Sequence, residues 1–367
     1  MARSSRAGND KGLINVAVAR FSAIGDVAMT VPVIYSVCRT YPDIRFIFIT
    51  RRTMADIFVN APDNLKVIGV DLKTDYVGVA GMKRLAAEIE KEYEIDYFVD
   101  LHNVLRTRML RLFWRMSGVK SSVINKGKVN KRALTRRYRK RLLPLISQRA
   151  RYREAFFKAG LPVNDHFDGL YGGRGKSDTK IFETITAPKV QGERWVGVAP
   201  YAAHSGKIYP LDQMERALEL IKAQCPSTRF FFFGGGGDEQ ATLQQWANRF
   251  EGSVSLAGKK YGFTVELALI NHLDTMITMD SANMHLASIA SVPTISVWGA
   301  THPYCGFKGW RQADTDIVQS PMTCRPCSVF GNKPCHRGDY MCLKSIGSAV
   351  VAKKVIDKIT ADTNPTS

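Results

Sequence analysis

The sequence of 367 residues predicts an α/β fold in which two doubly wound, Rossmann-like domains face a cleft. Strand-like apolar runs alternate with helical patterns in each half of the chain, which is typical of parallel sheets covered by helices on both faces. A polar, glycine-rich stretch separates the two series. We therefore predict an N-terminal domain over 1–175, a linker over 176–192, a C-terminal domain over 193–346, and a helix and tail over 347–367.

Ten apolar runs are the candidate strands, five in each domain. The first five lie at 13–19, 45–50, 65–70, 97–101 and 121–123, and the second five at 195–199, 229–233, 254–256, 276–279 and 294–297. Helical spacing of apolar residues predicts one helix over 82–93 and a last helix over about 348–360.

The composition argues against a membrane-spanning protein and against a secreted one. No apolar run approaches the ~20 residues that cross a membrane, and the polar N-terminus lacks the apolar region of a signal peptide. Seven cysteines, an odd number, do not suggest a secreted disulfide framework. We therefore expect a cytoplasmic protein.

The formal net charge of +19 is concentrated in the segment 106–153, which we call the basic arm. It contains 17 Lys or Arg residues and no Asp or Glu. Such a run repels itself, so an anionic partner is expected, either nucleic acid, anionic lipid or a phosphorylated glycolipid. No nucleic-acid module or pattern of stacking aromatic residues accompanies the charges, and each basic residue near an anionic membrane contributes ~1 kcal/mol. We therefore expect an anionic membrane surface, with the protein bound peripherally, rather than nucleic acid as the partner.

The stretch 279–301 carries polar residues where a sheet would place a ligand. Asp280 and Ser281 follow a strand-like run, His285 lies one turn into the next helical pattern, and Thr301 follows the next strand. Ligands of parallel α/β sheets bind at the carboxyl ends of strands, and a helix N-terminus there favours phosphate. His285 is given a binding role, because a histidine in a helix is more often packed than catalytic.

Near the start of the chain, Gly25 and Asp26 stand at the turn between a strand and a helix. An Asp at this position is often a helix cap. A carboxylate at the same turn can also point into a cleft and act as a general base.

Several short motifs occur in one order along the chain and resemble glycosyltransferase family 9, the lipopolysaccharide heptosyltransferases, over about residues 13–346. They are SAIGD at 22–26 with Pro32 in the following helix, LHN at 101–103, Lys207 before Tyr209 and Pro210, and DSANMHLAS at 280–288 with WGAT at 298–301. The chain departs from the family at Ser281–Ala282, where Gly or Thr-Gly is frequent, and at Tyr209, where Trp is frequent. The resemblance implies the glycosyltransferase B arrangement, in which the last helix often packs back on the first domain.

Sugar transfer from a nucleotide donor needs a base, a countercharge for the leaving diphosphate and a grip on the sugar. We assign Asp26 as the base, Lys207 to the diphosphate and Asp280 to the sugar hydroxyls. Ser281, His285 and Thr301 complete the predicted donor site. The predicted acceptor side consists of Gly25, His102, Asn103, Arg106, Arg136 and Arg137.

No acidic pair with metal-binding spacing stands at a strand end, so we expect no catalytic metal; the resemblance implies that Lys207 and a helix dipole replace it. Four cysteines, Cys324, Cys327, Cys335 and Cys342, lie within nineteen residues. Four thiolates satisfy zinc, but their later spacings are irregular, so both a structural zinc and free or redox-active thiols remain open.

We therefore predict an inverting glycosyltransferase that moves a heptose or related sugar from an ADP-sugar to an anionic lipopolysaccharide core or lipid A precursor. We expect it to be cytoplasmic, without a nucleic-acid partner, and peripheral at the inner membrane. Two alternatives remain: a family 9 enzyme with another donor and glycan, and a nucleic-acid-binding protein that uses the basic arm. The enzyme requires Asp26, Lys207 and Asp280 to converge on one cleft, whereas the binding protein does not.

Overall fold

A computed structural model describes residues 14–361 and contains two fully parallel sheets, which confirms the predicted α/β fold. The N-terminal sheet has the strand order β3-β2-β1-β4-β5. Its strands are β1 (Ile14–Ala19), β2 (Ile44–Arg51), β3 (Leu65–Val70), β4 (Tyr97–Asp100) and β5 (Lys120–Val123). The helices of this half are α1 (Ile24–Ala28), α2 (Val31–Thr40), α3 (Arg52–Ala55), α4 (Gly78–Tyr93), α5 (Leu105–Met116), α6 (Lys128–Leu134) and α7 (Gln148–Lys158).

The C-terminal sheet has six strands in the order β11-β10-β9-β6-β7-β8. Its strands are β6 (Arg194–Ala199), β7 (Thr228–Phe232), β8 (Val254–Ser255), β9 (Thr275–Met279), β10 (Thr294–Trp298) and β11 (Ile317–Gln319). Its helices are α8 (Leu211–Gln224), α9 (Asp238–Arg249), α10 (Phe263–Asn271), α11 (Ala282–Ile289), α12 (Met341–Lys344) and α13 (Ser348–Thr360).

The strands form where continuous apolar runs are buried from both sides. In β2, for example, Phe46 and Phe48 belong to one apolar cluster, and Ile47 and Ile49 belong to another on the opposite face. Burial on both faces is what makes parallel strands read as unbroken apolar runs. All ten predicted strands are found within one residue at each end where the structure describes them, and residue 13 lies outside the described residues. The three-residue edge strand β11 was not predicted.

The stretch predicted as a linker packs against the C-terminal domain. The backbone N–H of Ser177 donates to Asn271 Oδ1 over 2.8 Å. A short 3-10 turn at Thr179–Phe182 brings the Phe182 ring edge-on to Trp195 and His272. These contacts hold the chain against α10 as it passes from one domain to the other.

The expectation that the last helix packs back on the first domain is wrong. Helix α13 packs against α8 and β9 of the C-terminal domain. Its buried residues Val351, Val355 and Ile359 join the apolar cluster that contains Leu218 and Ile221 of α8. The apolar stripe of α13 therefore completes the C-terminal core.

None of the helices within residues 14–361 combines the length and the apolar composition needed to cross a bilayer.

Candidate active site

A cavity of about 740 Å³ opens between the two domains and is lined by residues of both. On the N-terminal side it is bounded by residues 22–26 at the start of α1. On the C-terminal side it is bounded by residues 201–207 after β6, 233–235 after β7 and 280–283 after β9. The carboxyl ends of the central strands of both sheets therefore face one cleft, which is where ligands of such sheets bind.

Asp26 lies on this cleft and takes part in three contacts. Its Oδ2 accepts a hydrogen bond from the backbone N–H of Ala23 over 3.3 Å and forms an ion pair with Arg20 at 2.7 Å. The hydroxyl of Tyr152 donates to the Asp26 backbone carbonyl. Asp26 is thus a first-turn carboxylate that stabilises α1, as the capping interpretation requires. Among the described residues Oδ1 has no partner, so one oxygen remains available to an acceptor hydroxyl.

Arg20 holds Asp26 from beneath the cleft. It follows β1 directly, is 7% exposed, and donates from its NH1 group to the carbonyl of Leu101 over 2.8 Å. Its guanidinium also lies 5.9 Å from the centre of the Tyr152 ring. The position of the Asp26 carboxylate is therefore fixed by a buried cation that is itself anchored on two neighbouring elements.

Lys207 and Asp280, predicted separately, are partners. Lys207 Nζ lies 3.0 Å from Asp280 Oδ2, and the Thr301 hydroxyl donates to the same oxygen over 2.8 Å. Asp280 is only 5% exposed. The loop that carries Lys207 is held by a backbone hydrogen bond from Ala300 N–H to the Gly206 carbonyl. The segments that follow β6 and β9 are therefore joined by one buried ion pair on the cleft wall.

Ser281 precedes α11 and directs the start of that helix into the cleft. Its hydroxyl lies 3.2 Å from the Thr278 hydroxyl rather than capping the helix. The first backbone N–H groups of α11 therefore have no capping side chain from Ser281. Unsatisfied N–H groups and the positive end of the helix dipole together favour a phosphate.

Gly25 and His285 are in close contact between the two domains. A Cβ atom at Gly25 would lie 2.8 Å from His285 Cδ2 and 3.4 Å from Ala282 Cα. Only a glycine lets α1 approach α11 this closely without displacing the imidazole. Gly25 thus has a packing role in addition to the acceptor-side position predicted for it.

His285 is a buried, neutral imidazole. Burial, and then the charges of Arg149 and Lys207, lower its pKa to about 3. Its Nδ1 atom has no hydrogen-bond partner among the described residues, although the residue lines the cleft. A neutral ring with a free nitrogen can bind a ligand but cannot act as a cationic acid at neutral pH, which agrees with a binding role alone.

His102 and Asn103 lie behind Asp26 at the end of β4 rather than on the cavity wall. Fully buried Asp100 accepts hydrogen bonds from both of their backbone N–H groups, at 2.9 and 2.6 Å. His102 Nδ1 accepts from the backbone N–H of Phe21, and burial, followed by the charge of Arg20, lowers the His102 pKa to about 3. His102 therefore supports the turn after β1 as a neutral acceptor.

Three predicted acceptor residues, Arg106, Arg136 and Arg137, are exposed and do not line the cavity. Another residue of the basic arm comes closer. The Lys131 ammonium lies 5.5 and 5.4 Å from the ring centres of Phe307 and Phe330, both of which line the cleft. Burial, followed by the charge of Arg151, lowers the Lys131 pKa. This cation from α6 thus touches the C-terminal wall.

Sequence reasoning missed two carboxylates of the cleft. Glu239 follows the glycine turn after β7, and its Oε2 accepts from the Gly235 N–H over 2.6 Å. Glu266 projects from α10, and burial raises its pKa to about 7. The position of Glu239 after a strand could have revealed it, whereas Glu266 stands on a helix face with no distinguishing local pattern.

The four C-terminal cysteines are free thiols. Within residues 14–361 no three His, Cys, Asp or Glu side chains are arranged to hold a metal ion. Burial raises the pKa of Cys342 to about 11 and also raises that of Cys327. The zinc hypothesis therefore stays a prediction.

The fold and cleft define a glycosyltransferase of the B type, with two parallel α/β domains around an interdomain site. The sequence model of glycosyltransferase family 9 (heptosyltransferase) matches residues 82–334, so the chain belongs to this family and is a glycosyltransferase. No curated protein matches the chain.

Solved structures of family members have the same fold. The glycosyl transferase family 9 protein of Veillonella parvula is 15% identical with a TM-score of 0.71, covering 96% of this chain and 99% of that one. The Escherichia coli ADP-heptose lps heptosyltransferase II is 14% identical with a TM-score of 0.67, covering 96% and 100%. The E. coli heptosyltransferase WaaC with ADP-2-deoxy-2-fluoro heptose is 17% identical with a TM-score of 0.62, covering 94% and 99%.

We predict that Asp26→Asn lowers sugar turnover by about 100-fold or more and leaves nucleotide affinity nearly unchanged, because the amide keeps the Ala23 hydrogen bond but cannot take a proton. Steady-state kinetics and calorimetric titration are the measurements. Asp26→Ala is the matched variant, because it also removes the hydrogen bond to Ala23 and should lower the melting temperature further. Near wild-type turnover of the Asn variant would reduce Asp26 to a helix-stabilising residue.

Lys207→Ala should weaken the binding of nucleoside diphosphate and slow transfer, because the leaving charge is no longer compensated. The change also strips buried Asp280 of its counter-ion, and breaking such a pair costs about 3–5 kcal/mol. The double variant Lys207→Ala/Asp280→Asn removes that penalty. Calorimetry should find nucleotide affinity still reduced in the double variant, whereas recovery of wild-type affinity would assign Lys207 to structural neutralisation of Asp280.

Proposed function

We propose that this enzyme transfers a heptose, or a related sugar, from an ADP-sugar to an anionic lipopolysaccharide core or lipid A precursor, with inversion at the anomeric carbon. The observation that carries the proposal is the convergence of Asp26, the Lys207–Asp280 pair and the start of α11 on one cleft. The choice of nucleotide is supported by two related structures, the E. coli ADP-heptose lps heptosyltransferase II and the heptosyltransferase WaaC with ADP-2-deoxy-2-fluoro heptose.

In the proposed reaction Asp26 Oδ1 takes the proton of the acceptor hydroxyl as its oxygen attacks the anomeric carbon. The bond from that carbon to the diphosphate oxygen breaks in the same displacement, and the nucleoside diphosphate leaves. Lys207 and the N-terminal N–H groups of α11 compensate the charge that develops on the leaving oxygen. A single displacement, in which the acceptor oxygen attacks from the side opposite the departing diphosphate, inverts the configuration at the anomeric carbon.

The Asp280 carboxylate is proposed to accept hydrogen bonds from the hydroxyl groups of the donor sugar. Its Oδ2 is occupied by Lys207 and Thr301, and an ionised carboxylate has a second oxygen that accepts hydroxyl groups. The same contact with Lys207 links recognition of the sugar to recognition of the diphosphate. A donor without the sugar hydroxyls would leave Asp280 without its ligand, and a donor without the diphosphate would leave Lys207 without its ligand.

The acceptor is proposed to be anionic because cations surround Asp26. Arg20, Lys126 and Lys131 all lie near this wall, and Lys126 donates to the Asn103 carbonyl over 3.1 Å. The exposed arginines predicted for the acceptor, Arg106 among them, extend the positive surface outward from the cleft. The nucleic-acid alternative provides no reason for Asp26, Lys207 and Asp280 to share one cleft.

The direct test is transfer by the purified protein from ADP-heptose to a deacylated lipopolysaccharide precursor, with ADP-glucose and UDP-glucose in parallel. We expect a product heavier by one heptose in the mass spectrum and an anomeric configuration, by NMR, opposite to that of the donor. Asp26→Asn is the control. Transfer only from a UDP-sugar would favour the family 9 alternative with another donor, and no transfer from any donor would overturn the proposal.

We further predict that chelation by EDTA leaves transfer intact, since Lys207 and α11 provide the charge compensation. Loss of activity that magnesium restores would contradict this account of the leaving group. Inactivation reversed only by zinc would instead indicate a structural site at the four cysteines. Cys324→Ser should then lose zinc, measured by elemental analysis, while Cys225→Ser, which changes a thiol far away in sequence, should retain it.

A further inference from the structure

Exposed apolar side chains are concentrated on the basic arm and its flanks. Of the 18 large hydrophobic residues exposed among residues 14–361, nine lie between 105 and 157. Contiguous exposed apolar surface marks interaction sites, whereas single exposed apolar residues do not, so an interaction surface requires that several of these residues share one face. The nine are Leu105, Leu112, Met116, Val129, Tyr138, Leu142, Leu143, Ile146 and Phe157.

Helix α5 carries apolar residues on both of its faces. Thr107, Leu110 and Trp114 are buried against the domain. Leu105, Leu112 and Met116 are spaced by seven and four residues, which places them along one line on the opposite, solvent face. They are 69%, 56% and 79% exposed.

Arginines flank this exposed line. Arg108 and Arg115 lie on one side of it and Arg106 on the other, and all three are exposed. An apolar stripe bordered by cations is the pattern of a helix that lies in the plane of a membrane interface.

The segment 136–146 repeats this composition without a helix. Exposed Tyr138 lies between exposed arginines, and exposed Leu142, Leu143 and Ile146 follow the last of them, Arg141. The segment is nevertheless anchored, because Lys140 Nζ donates to the carbonyls of Cys324 and Pro326 and the Leu145 N–H donates to Tyr304. Its apolar side chains are thus held outward on a fixed backbone.

The exposed positive charges of the basic arm indicate which kind of partner binds this surface. Eleven of the 17 basic residues of the arm are exposed, and among the described residues only Arg111 forms an ion pair with an acid, Asp100. The partner must therefore offer both negative charge and an apolar interior. A bilayer interface that contains anionic lipid offers both, whereas nucleic acid and a free anionic sugar offer only the charge.

We propose that α5 is a docking surface that enters an anionic bilayer, with Leu105, Leu112 and Met116 in the acyl boundary and its exposed arginines on lipid phosphates. The arginines of segment 136–146 add electrostatic attraction toward the same anionic lipid. The inference rests on the proposed function, which requires a lipid-borne acceptor. Helix α5 begins two residues after Asn103, at the carboxyl edge of the sheet that carries Asp26. Docking through this surface brings the acceptor side of the cleft to the lipid head groups.

The test is flotation with vesicles of phosphatidylethanolamine containing one quarter phosphatidylglycerol, over a salt series. The triple variant Leu105→Gln/Leu112→Gln/Met116→Gln should lose about ten-fold or more in partition coefficient with an unchanged salt slope, because its charges remain. Replacing Arg136, Arg137, Arg139 and Arg141 by Gln should also weaken binding but flatten the slope. Lys140 is left intact because it anchors the segment. The matched controls are Val79→Gln and Val350→Gln, which remove exposed valines on α4 and α13 and should bind as wild type.

Wild-type vesicle binding by the Leu105/Leu112/Met116 variant would overturn the proposal, as would tighter binding of wild type to RNA than to the vesicles. Activity assays with two acceptors distinguish failure of the docking proposal from failure of the proposed function. The apolar variant should keep wild-type kcat/KM on a deacylated, water-soluble acceptor and lose about ten-fold on an acceptor embedded in vesicles. Absence of transfer to the soluble acceptor by wild type would instead reject the proposed function, while the vesicle measurement would still test the docking surface.

Discussion

The close approach of Gly25 to His285 is the constraint on which the site depends. It lets α1 of one domain pack against α11 of the other, so that the ends of β1 and β9 open into the same cavity. A larger residue at position 25 would have to displace a buried ring, and packed interiors accommodate such changes poorly. The distance between Asp26 and the donor wall is thus set by a steric contact between helices, not by the charged residues themselves.

The charged residues are arranged in two separate buried pairs, one on each wall. Arg20 pairs with Asp26 on the N-terminal wall, and Lys207 pairs with Asp280 on the C-terminal wall. Burial alone rarely makes such pairs a net source of stability, because desolvation offsets much of the attraction. Their value here is positional: each carboxylate keeps an oxygen turned to the cleft while the other oxygen is fixed.

The sequence predicted the sheets well because parallel strands leave unmistakable apolar runs, as the four consecutive buried residues at 46–49 illustrate. Asp26, Lys207 and Asp280, each predicted from its place in the segment that follows a strand, all line the cleft, and the role assigned to each stays a prediction. The sequence could not reveal the contact between Lys131 and the rings of Phe307 and Phe330, which joins residues far apart in the chain. Nor could it reveal that α13 completes the C-terminal core, because an apolar stripe predicts burial without saying against which domain.

The two departures from the family pattern differ in consequence. Tyr209 is fully buried, does not line the cavity, and donates its hydroxyl hydrogen bond to the Ile346 carbonyl over 2.6 Å. It therefore ties the chain before α13 to the loop of Lys207 and acts on packing. Ser281 and Ala282 both line the cavity, and Ala282 also stands beside Gly25. Of the two departures, only the one at the start of α11 changes the cavity wall directly, because a side chain in place of glycine narrows the cleft there.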